Sequence, residues 1–383
     1  MLARLDTLAG ASLEGLRVAF IAGALTTGGA EKQLVSMATS LVQMNASVMV
    51  CSLTKGDRFE RDLAQSGIPV EWVGCWPARS MRLASMLGAL RRFRPHIIQA
   101  AHPFTNLYAA IAGRVLNAMD IGCLRSSVGH CREMNGRWTR SLLRWPSAMI
   151  VNSRSALEEL RGVRRMHSYL VLNCTDVTSP PNRPERHSSG RAVAIFVGRL
   201  AAVKRADRFL RAFALARASE PTIEAIVVGD GPERASLEKL AANLGLSGSV
   251  TFLGNRTDVP DLLDRADILV LTSESEACPN VVLEAMARCV PVVATPVGDL
   301  PWIIEDGVSG YLTPPGDVTA IAHRLVTLAH DNDLRIAMGR AGYGVVEREF
   351  AAGRGIRSLL AAYREIASRR PDHQVLEVLR AVD

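Results

Sequence analysis

A chain of 383 residues, 48% hydrophobic and 22% charged, is longer than the roughly 100–200 residues of one ordinary domain and has a globular composition, which excludes a disordered chain and a single small core. The seven cysteines (51, 75, 123, 131, 174, 278 and 289) are scattered, with no Cys-x-x-Cys pair and no histidines at zinc-finger spacing, which excludes a disulfide framework and a zinc module and leaves reduced, mostly buried thiols. The net charge of +7 divides into +9 over residues 1–180 and −2 over residues 181–383, so the first half is expected to meet an anionic partner: lipid headgroups, a phosphorylated acceptor or nucleic acid.

No stretch reaches the ~20 continuous apolar residues of a membrane span, and Met1 to Gly15 lacks the apolar run and cleavage site of a secretory signal, so a cytoplasmic location is expected. Short apolar runs predict strands over Arg17–Ala22, Ser47–Ser52, His96–Gln99, Met149–Val151 and Tyr169–Leu172. Between them, Arg79 to Arg94 has helical periodicity, with Met81, Met86, Leu87, Leu90 and Phe93 apolar and Arg82, Arg91, Arg92 and Arg94 charged. Arg132, Arg137, Arg140 and Arg144 interleave with Trp138, Leu142, Leu143 and Trp145, a composition suited either to an anionic membrane surface or to a helix with an apolar core face and solvated arginines. From Thr178 to Arg191, three prolines and a Ser-Ser-Gly forbid a long helix or central strand and mark a linker. Strands come next over Val193–Val197, Ile223–Val228, Ser249–Phe252, Ile268–Leu271 and Pro291–Ala294, and Gly355 to Val382 reads as helix broken at Pro371 and packing back on the first domain. Alternating strands and helices predict an α/β chain of two doubly wound domains, 1–180 and 181–383, with ligands beyond the carboxyl ends of the strands.

In the second half, the first strand runs into Gly198-Arg199-Leu200, with Lys204 shortly before a helix; this pair forms a clamp suited to a diphosphate. The next strand ends at Gly229-Asp230-Gly231-Pro232, a turn that lets backbone pass close to a ligand or another loop. After Ile268–Leu271 comes Ser273-Glu274-Ser275-Glu276-Ala277-Cys278-Pro279-Asn280, with Asn280 expected as helix N-cap and the N–H groups of Val281, Val282 and Leu283 facing a phosphate. Glu276 before that helix and Glu284 inside it lie so near a phosphate site that hydrogen bonds from sugar hydroxyls are their natural role.

Gly28-Gly29-Ala30-Glu31, Asn173 with Asp176, Gly198-Arg199-Leu200 with Lys204, Gly229-Asp230-Gly231-Pro232 and Glu276-x7-Glu284 together resemble the retaining glycosyltransferases of family four, over roughly residues 16–350. The resemblance implies the GT-B fold, two Rossmann-like domains facing an interdomain cleft. It implies that Arg199 and Lys204 neutralise a departing diphosphate, that Glu284 holds the ribose, that Glu276 contacts the transferred sugar, and that Gly28 and Gly29 let backbone approach the phosphates. A histidine is expected on the acceptor side; His130 is the first choice, Ser126 or Ser127 could occupy the matching position, and His102 is the second candidate. Ala277-Cys278, Cys174-Thr175, Arg288-Cys289-Val290 and Asp299 depart from the family pattern, and the side chains at 277 and 299 are expected to crowd the sugar pocket.

The resemblance therefore implies a hexosyltransferase that retains anomeric configuration, with a UDP- or GDP-linked donor and a glycolipid or polysaccharide-precursor acceptor. No Asp-x-Asp motif stands at a strand end, so neither metal nor cofactor is expected. The basic first domain would lie peripherally on the inner face of the membrane. The alternatives are a non-catalytic nucleotide-sugar binder and a GT-B-fold nucleotide-sugar epimerase; no signature supports nucleic-acid binding.

Overall fold

The structure, a computed structural model, describes residues 12–26, 28–163, 167–177, 180, 191–369 and 373–380. The chain divides into two compact units, Met1–Cys174 together with Ala352–Asp383, and Thr175–Ala351. Of the expected linker, Thr178, Ser179 and residues 181–190 lie outside the described residues, as do Met1–Ala11 and Pro371.

The first unit is built on a sheet of seven parallel strands: β1 (Arg17–Ala22), β2 (Ser47–Ser52), β3 (Val70–Trp72), β4 (Ile97–Ala100), β5 (Met119–Leu124), β6 (Ala148–Val151) and β7 (Ser168–Leu170), in the order β3-β2-β1-β4-β5-β6-β7. Successive residues of β1 feed opposite cores. Val18, Phe20 and Ala22 pack on one face with Val48, Val50 and Ile97, while Ala19 and Ile21 pack on the other with Met49, Ile98 and Ala100. Two buried faces explain why the central strands read as continuous apolar runs. The helix Arg79–Phe93 covers the second face through Met86, Ala89 and Leu90, with Leu87 and Phe93 packed beside them, whereas Met81 of the expected apolar stripe is exposed.

The helix Ala352–Ser368 lies on the first face, burying Ile356, Leu359, Leu360, Tyr363 and Ile366, and Tyr363 Oη donates a 2.5 Å hydrogen bond to Gln99 Oε1 of β4. The division at residue 180 is therefore adjusted: residues 352–383 group with the first unit, because the apolar face of this helix completes that unit's core, and the described boundary falls at Cys174/Thr175.

The second unit has six parallel strands, β8 (Val193–Val197), β9 (Glu224–Val228), β10 (Val250–Gly254), β11 (Ile268–Leu271), β12 (Val292–Ala294) and β13 (Tyr311–Leu312), in the order β10-β9-β8-β11-β12-β13. Phe196 of β8 stacks on Phe209, which in turn meets Phe213 of the helix Ala206–Ser219. All seven cysteines are free and only Cys75 is exposed. Burial pushes the thiols of Cys51 and Cys123 up to about 12. Among the described residues, no helix is long and apolar enough to cross a membrane.

Candidate functional site

In the second unit the strand order reverses between β8 and β11, the topological switch point at which open α/β sheets bind ligands. The loop after β8 carries Arg199 and Lys204, and the loop after β11 carries Glu276. Lys204 Nζ donates to Glu276 Oε1 at 2.6 Å, with the two side chains 27% and 10% exposed. Ser273 Oγ donates to the same oxygen at 2.6 Å, and no hydrogen bond engages Glu276 Oε2 among the described residues. One carboxylate thus anchors the ammonium through one oxygen and offers the other as an acceptor. Arg199 is exposed and makes no ion pair with any described residue.

The two loops are tied together by backbone. Thr272 Oγ1 donates to Lys204 O (3.2 Å) and Arg205 O (2.8 Å), and Glu274 N–H donates to Val203 O at 2.8 Å. Arg205, at φ 50°, turns the chain from the short turn Ala202–Lys204 into the helix Ala206–Ser219. Its guanidinium binds Asp207 through both Nε and Nη2 at 2.9 Å and reaches Glu274 at 2.6 Å. The Arg205 hydrogen bond is the main cause that holds Asp207 below the usual carboxylate range.

Glycines let neighbouring loops touch. A Cβ on Gly229, which sits at φ 127°, would lie 1.9 Å from Gly198 O, so the expected close approach at 229 is to another loop of the protein. Gly298, at φ 58°, lies where a Cβ would meet Glu276 O at 2.4 Å and Ala277 O at 2.6 Å. Gly298→Ala should therefore lower stability by about 1–3 kcal/mol and shift Glu276; an unchanged urea midpoint would show that this contact is not tight.

The structure corrects two expectations at this site. The helix begins at Asn280 with Pro279 as its N-cap, so Asn280 is not the cap, and Val282 N–H is already engaged by Pro279 O at 3.2 Å. Asn280 and Val281 form its first positions, and Glu284 is buried within this seven-residue helix. Ala277, Cys278 and Asp299 are all buried within the unit. At the Arg288-Cys289-Val290 departure, Cys289 takes φ 54°, the left-handed conformation that a glycine adopts freely.

The first unit has its own switch point, between β1 and β4. After β4 comes His102, 12% exposed, whose Nδ1 accepts from Gly23 N–H at 3.1 Å and whose Nε2 lies 3.4 Å from Glu31 Oε1. That network puts the imidazole proton on Nε2. Phe104, largely exposed, stacks on the His102 ring at 5.4 Å. Gly28 is the N-cap of the helix Gly29–Gln43, and a Cβ there would stand 2.2 Å from Glu31 Oε2, so at least part of its need is internal. His130, by contrast, comes after β5, where Ser127 caps the helix Val128–Asn135; its side chain is 42% exposed and meets Glu133 at 3.5 Å. The structure brings His102 and Glu31 to the switch point and leaves His130 one strand away.

Burial alone would raise the Glu31 carboxyl, but hydrogen bonds from His102, from its own backbone N–H and from Thr26 hold it below its ordinary value of 4.5. A depressed folded value makes this carboxylate a source of stability above pH 4.5, lost as pH falls through the folded value. Glu31→Gln should flatten the part of the acid limb below pH 4.5 in urea unfolding; a limb that keeps its slope would remove the coupling. Sequence reasoning gave Glu31 no role beyond its motif, although an acid beside a helix start was the available signal. Ser273 carried no signal at all. Among the described residues, no group of three or more His, Cys, Asp or Glu is placed to hold a metal ion.

The Glycosyltransferase Family 4 model matches residues 27–179 and the Glycosyl transferases group 1 model matches residues 181–345. N-acetyl-alpha-D-glucosaminyl L-malate synthase of Bacillus anthracis is 33% identical over 179 residues, 47% of this chain and 47% of the relative. Sulfoquinovosyl transferase SQD2 of Arabidopsis thaliana is 27% identical over 290 residues, 69% of this chain and 55% of the relative. The matches thus span about half the length of these curated relatives. A crystal structure of Anabaena Alr3699/HepE in complex with UDP and glucose shares the fold with a TM-score of 0.79 at 24% identity, covering 90% of this chain and 98% of that one. With consecutive family matches on two parallel-sheet units, each with its reversal of strand order, the chain belongs to the group 1 glycosyltransferases of the GT-B fold.

Proposed function

We propose that this chain transfers a hexose, with retention of anomeric configuration, from a UDP- or GDP-linked donor to a glycolipid or polysaccharide-precursor acceptor. The observation that carries the reading is the Lys204–Glu276–Ser273 cluster at the switch point of the second unit. A cation that neutralises phosphate and a carboxylate oxygen that accepts from hydroxyls, side by side, match the junction of diphosphate and sugar in a nucleotide sugar.

When the bond between the anomeric carbon and the diphosphate oxygen breaks, negative charge grows on the leaving oxygen. Lys204 and Arg199 meet that charge without solvent reorganisation and without a divalent cation. Glu276 Oε2 accepts from the transferred sugar, Glu284 accepts from the ribose hydroxyls, and Asn280 and Val281 offer backbone N–H to the phosphates. The acceptor hydroxyl attacks from the face of the leaving group, whose phosphate takes its proton. In the first unit, His102 with Glu31 takes the acceptor-side role, in preference to His130. The reading is supported by the solved Anabaena relative, which is complexed with UDP and glucose. Reaction at the cytoplasmic face of a membrane fits the basic first half.

A thermal-shift screen of UDP-, GDP- and ADP-sugars tests it, because a donor that binds the folded chain and not the unfolded one raises Tm. One nucleotide class should stabilise the chain, and the shift should shrink in Lys204→Ala. No shift with any of them would defeat the assignment.

A further inference from the structure

In the first unit, the helix Val128–Asn135, the turn Gly136–Trp138, the helix Thr139–Arg144 and the end of the helix Arg154–Val163 enclose a groove of about 510 Å³. Arg132, Arg137, Arg140 and Arg144 line it over a floor that includes Val128 and Leu143, and no carboxylate is among the lining residues. Arg140 and Arg144 stand four residues apart on one face of the helix Thr139–Arg144, and Arg137 lies in the turn just before it. Arg132, Arg137 and Arg140 make no ion pair with any described residue. Four like charges around one concavity repel each other, and a multivalent anion with several oxygens relieves that repulsion while filling the planar donor forks.

The groove's surroundings narrow the choice of ligand. Trp138 and Trp145 flank the helix Thr139–Arg144 and are 51% and 50% exposed, and Met134 nearby is also exposed. Apolar side chains beside a cationic groove suit an amphiphile with an anionic head. The same helix is tethered to the switch point: Asn106, just beyond the His102 turn, donates to Leu142 O at 3.0 Å.

We infer that this groove binds the phosphate or diphosphate of the acceptor. The anion site stands on the groove itself, and only its naming as part of the acceptor rests on the proposed function. The phosphate comes either from a lipid headgroup or from a soluble phosphorylated acceptor.

Calorimetric titration of inorganic pyrophosphate into the full chain should show two binding events. Arg137→Gln with Arg140→Gln should weaken one of them by about tenfold or more, as expected when charged hydrogen bonds are lost. Lys204→Ala should weaken the other. Arg137→Lys with Arg140→Lys, which keeps charge and loses the forks, should fall between. Two unweakened events in a folded double-glutamine variant, judged by circular dichroism, would overturn the proposal. Weakening of one event in that variant with none in Lys204→Ala would leave the groove standing and remove the donor reading. Capture by phosphatidylglycerol vesicles but not phosphatidylcholine vesicles, reversed by pyrophosphate, assigns the lipid headgroup. Pyrophosphate binding without capture assigns the soluble acceptor.

Discussion

Lys204→Ala is expected to lower turnover by about 10²–10³-fold at saturating donor, the loss that comes with removal of one preorganised transition-state donor. The ammonium is fixed before any ligand arrives: it rests on Glu276 at 2.6 Å, and the carbonyls of Lys204 and Arg205 are fastened by Thr272. Because diphosphate charge grows as the sugar leaves, the variant should lose kcat more than it gains KM. Glu276→Gln separates the roles, since it keeps an oxygen acceptor for the sugar while discarding the ion pair. Its turnover should therefore exceed that of Glu276→Ala. A Lys204→Ala enzyme with wild-type kcat would show that the cation faces no developing charge.

The second large effect is expected at His102. His102→Ala should reduce turnover by about 10²-fold or more, within the range for a misplaced reacting group, whereas His130→Ala should stay within a few-fold of the parent. His102 is nearly buried and held on one ring nitrogen by Gly23 N–H, with the other directed to Glu31. His130 is solvent-facing and leans on an exposed Glu133. A group that positions a reacting hydroxyl needs a fixed orientation, which only the first of these has. The reverse ranking in steady-state assays of both variants would return the acceptor role to His130.

The choice between these two histidines shows where sequence stops informing. Runs such as Arg17–Ala22, Ser47–Ser52, Val193–Val197 and Ile268–Leu271 are legible because strands buried on both faces are apolar throughout. The strand Met119–Leu124 is not, because Asp120 and Gly122 interrupt it; in the structure Asp120 is buried and accepts from Ser147 N–H and Oγ at 2.7 and 2.6 Å. That His102 comes after the strand at His96–Gln99 was legible; without Met119–Leu124, nothing along the chain says that His130 comes after a further strand, or that β4 rather than β5 is the neighbour of β1. The Lys204 and Glu276 loops were legible as motifs, since each stands at the end of a clear strand. Their 2.6 Å contact was not, because it depends on β8 pairing with β11 in the sheet, although β9 and β10 separate the two along the chain.

The return of residues 352–383 to the first unit gives the chain the architecture of a nested gene fusion. Residues 175–351 are one uninterrupted piece, and its two ends meet: Thr175 N–H donates to Phe350 O at 2.9 Å, and Thr175 bridges Ala351. Joined ends of this kind are what domain insertion requires. The inner piece can be cloned as a single fragment, but the outer one must be spliced from two, and a stop codon placed before the last helices would cripple the half of the protein that is translated first.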